Sequence, residues 1–127
     1  QPRSRGLGDV YKRQGGHSLG GSMAAAYLEK HPSDFKGLLL LAAYSTADLS
    51  NENIRTLSIY GSNDGVLNRE KYEQYRSNLP ELTEYIIDGG CHAYFGVYGS
   101  QDGDGTPTID NARQINLTAD AVAKWVG

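Results

Sequence analysis

The amino-acid sequence predicts an α/β fold in which three parallel strands are flanked by helices. A helical pattern over residues 19–31 is followed by the apolar stretch of residues 37–44. This helix-then-strand order, without a tight hairpin between strands, is typical of a parallel crossover. Two more strand patterns, residues 56–60 and 83–88, each end in a polar turn that contains glycine. Helices and strands therefore alternate, which favours one parallel sheet.

Length and composition limit the classes of protein to which the chain can belong. Its 127 residues suffice for one domain. The formal net charge is −3 and Lys and Arg form no cluster, so we expect no nucleic-acid partner. The longest apolar run, residues 38–43, is far too short to span a membrane. The single Cys91 excludes an internal disulfide. Localisation and oligomeric state are left open.

The first residues of the chain differ in character from those that follow. A buried parallel strand consists of a run of Val, Ile and Leu, whereas this segment holds Asp9, Lys12 and Arg13. The chain also begins without Met. We therefore predict that residues 1–14 are a non-native or disordered segment, and that residues 15–127 form a partial domain.

The first predicted helix, residues 19–31, has an apolar face and a clear end. Leu19, Met23, Ala26 and Tyr27 lie on one face at helical spacing, and we expect this face to pack on the sheet. The small residues at positions 20–22 and 24–26 let the helix press closely on a sheet. Pro32 stops the helix.

Two further helices are predicted from their capping residues. Asn68 is a suitable N-cap for a helix over residues 69–79, and Asp110 for the last helix of the chain. We expect the apolar face of this last helix to consist of Ile115, Ala119, Val122 and Val126.

The pattern Gly-x-Ser-x-Gly occurs at residues 16–20, immediately before the first helix. In this pattern a sharp strand-to-helix turn exposes the serine hydroxyl above a sheet. Asp64 and His92 follow the second and third predicted strands. Because the carboxyl ends of parallel strands meet at one edge of the sheet, we expect Ser18, Asp64 and His92 to converge.

These three residue types suit nucleophilic catalysis. A serine hydroxyl needs a base to remove its proton, and a neutral His92 would be that base. Asp64 would hold the imidazole in the correct tautomer. The backbone N–H of Leu19, after Ser18, would donate to the oxyanion at the positive end of the helix. A second oxyanion donor usually comes from an earlier loop, for which we find no counterpart here.

Three stretches, residues 16–21, 59–66 and 89–96, make the sequence resemble the α/β-hydrolases. More narrowly, it is similar to bacterial serine hydrolases near the dienelactone-hydrolase-like and carboxylesterase-like proteins, although Cys91 stands where Asn is more familiar. The resemblance implies hydrolysis of a small-molecule ester or similar acyl compound through an acyl-serine, without a metal or other cofactor.

The resemblance also implies that the chain is the C-terminal half of an α/β-hydrolase fold. Two alternatives to an active hydrolase therefore stay open. The chain could be an inactive fragment that lacks the N-terminal half and the second oxyanion donor. A binding protein that reuses the fold is a weaker third possibility.

His17, Tyr94 and Phe95 are candidates for lining the substrate pocket. The two rings follow His92 directly along the chain. An equally open alternative is that Tyr94, Phe95 and Tyr98 simply cover the sheet, and that His17 is a structural residue of the turn.

Other polar residues have plainer interpretations. Asp88 competes with Asp64 for the role of the acid because it is near His92 in sequence. Cys91 has no second Cys and no suitably spaced His pair beside it, which argues against a metal site. Asp102 and Asp104 do not match the spacing of a calcium loop, and we expect them to lie in a solvated loop.

Overall fold

A computed structural model of the chain describes residues 13–127. Its strands and helices, in chain order, are β1 Arg13–His17, α1 Leu19–Lys30, β2 Gly37–Leu41, β3 Arg55–Gly61, α2 Arg69–Tyr75, β4 Leu82–Ile87 and α3 Asn111–Val126. Short 3-10 turns occupy Pro32–Asp34, Arg76–Asn78 and Ala93–Phe95.

The strands of the described chain form one parallel sheet in the order β1-β2-β3-β4. The predicted α/β class, a parallel sheet flanked by helices, is confirmed. The predicted number of strands was one too few, because Arg13–His17 pairs with Gly37–Leu41. Backbone groups make this ladder, so β1 forms although its sequence is polar and glycine-rich. A rule that requires a run of Val, Ile and Leu could not detect it.

β1 begins inside the segment that we expected to be non-native. Arg13 and Gln14 belong to this strand and are paired with Gly37 and Leu38. Residues 1–12 lie outside the described residues, so the prediction for that part of the segment stays a prediction.

The sheet separates two apolar layers. Side chains of a strand alternate between its faces, so Leu38 and Leu40 pack with α1 while Leu39 and Leu41 pack on the side of α3. The core of the α3 layer consists of Leu57, Ile59, Ile87 and Trp125.

α2 lies on the same face of the sheet as α1. Tyr72 of α2 is buried against Tyr60, and its hydroxyl is 2.7 Å from the Oγ atom of Ser58. The same hydroxyl donates to Glu84 Oε2 at 2.6 Å. A buried tyrosine with both polar contacts satisfied fixes α2 on β3 and β4.

The apolar face of α1 differs from the predicted one. Its buried residues are mostly small: Gly21, Ala24, Ala25 and Leu28. Leu19 and Met23, which we expected to face the sheet, are 73% and 64% exposed, and Tyr27 is also exposed. A Cβ on Gly21 would lie 2.6 Å from Ala43 Cβ. The close approach of helix and sheet therefore selects small side chains over large ones.

The apolar face of α3 was predicted only in part. Val122 packs against the core, as expected. Ala119 and Val126 are exposed, whereas Gln114 and Trp125 are buried. The core-facing surface of α3 therefore includes a polar residue that a purely apolar pattern passes over.

The predicted N-caps of α2 and α3 are confirmed. Asn68 accepts from the Lys71 N–H at 2.9 Å, and Asp110 from the Arg113 N–H at 2.7 Å. α2 is shorter than predicted, since a 3-10 turn replaces its last part. No helix in residues 13–127 is both long enough and apolar enough to cross a membrane.

Candidate active site

Ser18 occupies the turn between β1 and α1 in a strained backbone conformation. Its φ is 59° and its ψ is −126°, in a region that side chains rarely adopt. The Ser18 N–H donates to the Leu41 carbonyl at 2.8 Å, which fastens the turn to β2. A Cβ on Gly16 would lie 2.5 Å from the carbonyl oxygen of Gly20. The turn therefore requires glycine at position 16, as expected for a serine exposed on a sharp strand-to-helix turn.

Ser18, His92 and Asp64 form one chain of hydrogen bonds. His92 Nε2 is 2.9 Å from Ser18 Oγ, and His92 Nδ1 is 2.8 Å from Asp64 Oδ2. The side chains of His92 and Asp64 are 2% and 0% exposed. With the proton assigned to Nδ1, the imidazole donates to the carboxylate and accepts from the hydroxyl. The competing carboxylate, Asp88, is exposed. The structure thus brings the predicted residues together, and their catalytic roles stay a prediction.

Hydrogen bonds hold both the carboxylate of Asp64 and the backbone of the turn that carries it. Its second carboxylate oxygen, Oδ1, accepts from the backbone N–H groups of Val66 and Leu67 at 2.8 and 2.7 Å. The guanidinium of Arg69 donates to three backbone carbonyl groups of residues 61–64, at 3.1 to 3.2 Å. These contacts leave Oδ2 directed at the histidine.

A cavity of about 230 Å³ opens beside Ser18 and His92. Its other lining residues are mostly apolar: Leu19, Ser22, Ala42, Ala43, Tyr44, Val66, Leu67 and Asn68. Leu19 is the first residue of α1, where the backbone N–H has no carbonyl partner within the helix. The partial positive charge at this helix end favours an anion. The site therefore combines a small, largely apolar cavity with a place for negative charge.

The predicted pocket residues His17, Tyr94 and Phe95 do not line this cavity, and their role in a substrate pocket stays a prediction. His17 Nε2 donates to the carbonyl oxygen of His92 at 2.9 Å, and the two rings are 4.8 Å apart. Phe95 packs against the apolar core. The carbonyl of Tyr94 accepts from Asn111 Nδ2 at 3.1 Å. His17 thus supports the backbone at His92. For Phe95, the packing against the apolar core favours the alternative that its ring covers the sheet.

The environment of His17 favours its neutral form. Burial lowers the pKa of His17, and a charge on the neighbouring His92 lowers it further, against a smaller opposing effect of its hydrogen bond to the His92 carbonyl. A neutral His17 with its proton on Nε2 can keep that hydrogen bond.

Gln114 is a site residue that sequence reasoning missed. It is fully buried, and its side chain accepts from the Cys91 N–H at 3.0 Å and donates to the Cys91 carbonyl at 2.8 Å. The side-chain amide of Gln114 thereby satisfies both backbone groups of Cys91, the residue before His92. It also links the loop that carries His92 to α3. Its spacing of three from Leu117, on the face of α3 that packs on the sheet, is the signal that could have revealed it.

Asp104 does not lie free in a solvated loop, as we expected, but folds against the site. Its Oδ1 atom accepts from the N–H groups of His92 and Gly65 at 3.0 and 3.1 Å, and Oδ2 from that of Ala93 at 2.9 Å. Burial opposes ionisation of this carboxyl, but the backbone donors outweigh burial and lower its pKa to about 2. Asp102, two residues earlier, is exposed.

Cys91 is buried and shows no sign of a reactive thiol. Burial raises its pKa, and its hydrogen bond to Asp104 raises it further, so the thiol is protonated at neutral pH. Within residues 13–127, no group of three or more His, Cys, Asp or Glu side chains is arranged to hold a metal ion.

Comparison with known proteins identifies the family to which the sequence is similar. The alpha/beta hydrolase family matches residues 9–116. No curated protein matches the chain. Among solved structures, the alpha/beta hydrolase MGS-MChE2, from a sediment metagenome of the Mar Chica lagoon in Morocco, is similar at 18% identity with a TM-score of 0.66. The match covers 94% of this chain and 64% of that one.

Two other structures have the same fold. A predicted CIB-like hydrolase from Thermoplasma acidophilum is 18% identical with a TM-score of 0.63, and the match covers 91% of this chain and 52% of that one. Esterase 2 of Thermogutta terrifontis, phosphoramylated by tabun, is 14% identical with a TM-score of 0.53, over 91% of this chain and 55% of that one. The chain thus spans between half and two thirds of the length of these structures.

Proposed function

This chain belongs to the alpha/beta hydrolase family, and we propose that it carries the nucleophile, base and acid of a serine hydrolase. The reaction is the cleavage of a carboxylic ester or similar acyl bond through an acyl-serine intermediate. The observation that carries the proposal is the continuous hydrogen-bonded chain from Ser18 through His92 to Asp64, at 2.9 and 2.8 Å. A nucleophile next to a base, which is itself oriented by a third group, is the arrangement that nucleophilic catalysis needs.

In the first half of the reaction, Ser18 attacks the carbonyl carbon of the substrate. His92 Nε2 removes the hydroxyl proton as the new Oγ–C bond forms, and Asp64 stabilises the imidazolium. The tetrahedral intermediate then collapses. Its bond to the leaving oxygen breaks, and the imidazolium gives its proton to the leaving alcohol.

In the second half, water replaces the alcohol. His92 removes a proton from water as the water oxygen attacks the acyl carbon. The second tetrahedral intermediate then collapses: the bond between the acyl carbon and Ser18 Oγ breaks, and the imidazolium returns the proton to Oγ. The products are a carboxylic acid and the regenerated serine, so no metal or other cofactor is needed to balance the reaction.

The backbone N–H of Leu19 is the proposed donor to the oxyanion of both intermediates. It follows Ser18 and begins α1, whose dipole favours negative charge at this end. One donor of this kind typically contributes about 3 kcal/mol to transition-state stabilisation.

A second candidate function is that residues 1–127 alone have no hydrolase activity. The observation that favours it is coverage, since the match spans 52% and 64% of the length of the two structures described first. Under this candidate the hydrogen bonds that link Ser18, His92 and Asp64 are intact. The substrate site, however, needs further residues.

An activity-based probe tests the proposal and separates the candidates. The esterase of the same fold that reacts with an organophosphorus compound suggests a fluorophosphonate as the reagent. We expect it to label Ser18, identified by peptide mapping, and Ser18→Ala to abolish both labelling and p-nitrophenyl ester turnover. Ser33→Ala, at an exposed serine away from the site, is the control. Turnover that survives in Ser18→Ala would refute the proposal, whereas a folded but unlabelled wild-type chain would favour the second candidate.

A further inference from the structure

We infer that Asp104 is a positioning residue for the proposed reaction, and that its carboxylate fixes His92 relative to Asp64. The inference rests on the proposed function. Three segments meet here. We call residues 61–67 the acid turn, residues 88–96 the histidine loop and residues 101–106 the glycine loop.

The Asp104 carboxylate joins the acid turn to the histidine loop. Oδ1 accepts from the His92 N–H at 3.0 Å and from the Gly65 N–H at 3.1 Å. Oδ2 accepts from the Ala93 N–H at 2.9 Å. Gly65 is the neighbour of Asp64 in the chain, so one carboxylate binds the backbone beside the acid and the backbone of the base itself. Hydrogen bonds to an ionised group are the stronger kind.

The glycine loop lies so close to the acid turn that side chains do not fit between them. A Cβ on Gly65 would lie 2.6 Å from the carbonyl oxygen of Gly103, and a Cβ on Gly105 would collide with the carbonyl of Asn63. Asn63 Nδ2 also donates to the Thr106 carbonyl at 2.9 Å. The glycine loop is therefore held against the acid turn on both sides of Asp104. This packing places the Asp104 carboxylate within hydrogen-bonding distance of the histidine loop.

The chemistry of these contacts requires a carboxylate. An ionised carboxylate only accepts hydrogen bonds, and its partners here are donors: backbone N–H groups and the thiol of Cys91. An asparagine at this position would direct its NH₂ group at one or more N–H groups, so at least one contact would be lost. The loop carrying His92 would then be free to shift relative to Asp64 and Ser18.

Asp104→Asn tests the inference, and Asp102→Asn is its matched control. Both substitutions remove one negative charge from the same loop, but Asp102 is exposed and makes no part of the contacts described above. We expect Asp104→Asn to lower kcat roughly 10- to 100-fold, the range that follows from a small misplacement of reacting groups, with KM changed less than about twofold. Asp102→Asn should retain wild-type kcat. Equal kcat values for the two variants would overturn the inference.

A proton NMR signal provides a readout that does not depend on turnover. The proton shared by His92 Nδ1 and Asp64 gives a resonance far downfield, which reports their hydrogen bond directly. We expect Asp104→Asn to shift or broaden this resonance and Asp102→Asn to leave it in place. An unchanged resonance in both variants contradicts the inference, even in a chain that shows no activity.

The outcomes of the two proposals can be told apart. Fluorophosphonate labelling that persists in Ser18→Ala refutes the proposed function, whatever Asp104 does. Normal Ser18 labelling with no effect of Asp104→Asn refutes the positioning role alone. If Asp104→Asn does not fold, Asp104→Glu replaces it, because it keeps the charge and moves it by one methylene; we expect a folded chain with an intermediate kcat. If neither folds while Asp102→Asn does, the inference is wrong, since the carboxylate would then stabilise the whole domain.

Discussion

His17 lies directly against His92: its Nε2 atom is 2.9 Å from the His92 carbonyl oxygen and the two imidazole rings are 4.8 Å apart. The residue before Ser18 in sequence therefore contacts the proposed base, 75 residues further along the chain. This contact links the end of β1 to the histidine loop after β4, and it makes the charge of His17 relevant to the stability of the site.

Acidification is expected to destabilise the fold through His17. Burial and the neighbouring His92 lower the pKa of His17 below its ordinary value of 6.5. Between the folded and unfolded pKa values the unfolded chain binds more protons, so the contribution of His17 to stability is complete above about pH 6.5 and is lost as pH falls through the folded pKa.

The pH dependence of urea unfolding measures this effect. Between pH 7.5 and pH 5.5 the wild-type chain should lose more stability than His17→Phe, which cannot gain the proton. His31→Phe, at an exposed histidine at the end of α1, should behave like the wild type. The same pH dependence in wild type and His17→Phe would count against the expectation.

Asp64→Asn is expected to lower kcat by roughly 10⁴-fold while the chain stays folded, because an amide cannot hold the imidazole in the tautomer that accepts from Ser18. Steady-state kinetics with a p-nitrophenyl ester measure the effect. Asp88→Asn changes the competing carboxylate in the same way and should retain kcat, since Asp88 is exposed and the Nδ1 partner of His92 is Asp64. The reverse result would assign the acid to Asp88.

Acid unfolding is expected to show the contribution of Asp104. Its folded pKa of about 2 lies below the ordinary value of 3.8, so its stabilising effect is complete above pH 3.8 and is lost as pH falls from there toward 2. For a partly exposed group, after allowance for solvent screening, this amounts to about 1–2 kcal/mol. Unfolding free energies of wild type and Asp104→Asn should therefore converge as pH falls through this window. If the unfolding free energies of the two proteins instead stay a constant distance apart as pH falls, the expected contribution of Asp104 is wrong.

Two adjacent glycines of α1 are expected to respond in opposite directions to substitution by alanine. A Cβ on Gly21 would lie 2.6 Å from Ala43 Cβ and 2.9 Å from the Gly16 carbonyl oxygen, so Gly21→Ala should destabilise the chain by about 1–3 kcal/mol. A Cβ on Gly20 meets nothing within 4 Å in the described part of the chain, so Gly20→Ala should stabilise by up to about 1 kcal/mol. Thermal unfolding of both variants measures the difference, and equal shifts would show that α1 is not closely packed.

The sequence was sufficient to predict those features that depend on local patterns. The strands after residue 37 follow from apolar runs, the caps Asn68 and Asp110 from their hydrogen-bonding side chains, and the meeting of Ser18 with the two later residues from parallel-sheet topology. Each of these depends on neighbours in sequence or on one rule of fold geometry.

The features that sequence reasoning missed depend on contacts distant in sequence. β1 is held by the backbone of β2, so its polar side chains gave no signal. The face of α1 is decided by the closeness of the sheet at Gly21. Asp104 and Gln114 act on backbone groups 11 to 39 residues away. A spacing pattern cannot distinguish such a carboxylate or amide from a solvated one.

The hydrogen-bonded chain and the cavity beside it are built from different kinds of contact. The acid turn and histidine loop are joined through backbone groups, including the N–H donors to Asp104 and the Asn63 N–H that donates to the Gly90 carbonyl at 2.8 Å. The residues that line the cavity include Ala42, Ala43 and Val66, which take no part in these backbone contacts. Under the proposed function, substitutions at the cavity wall are therefore expected to change which acyl groups are accepted, while Ser18, His92 and Asp64 keep their alignment.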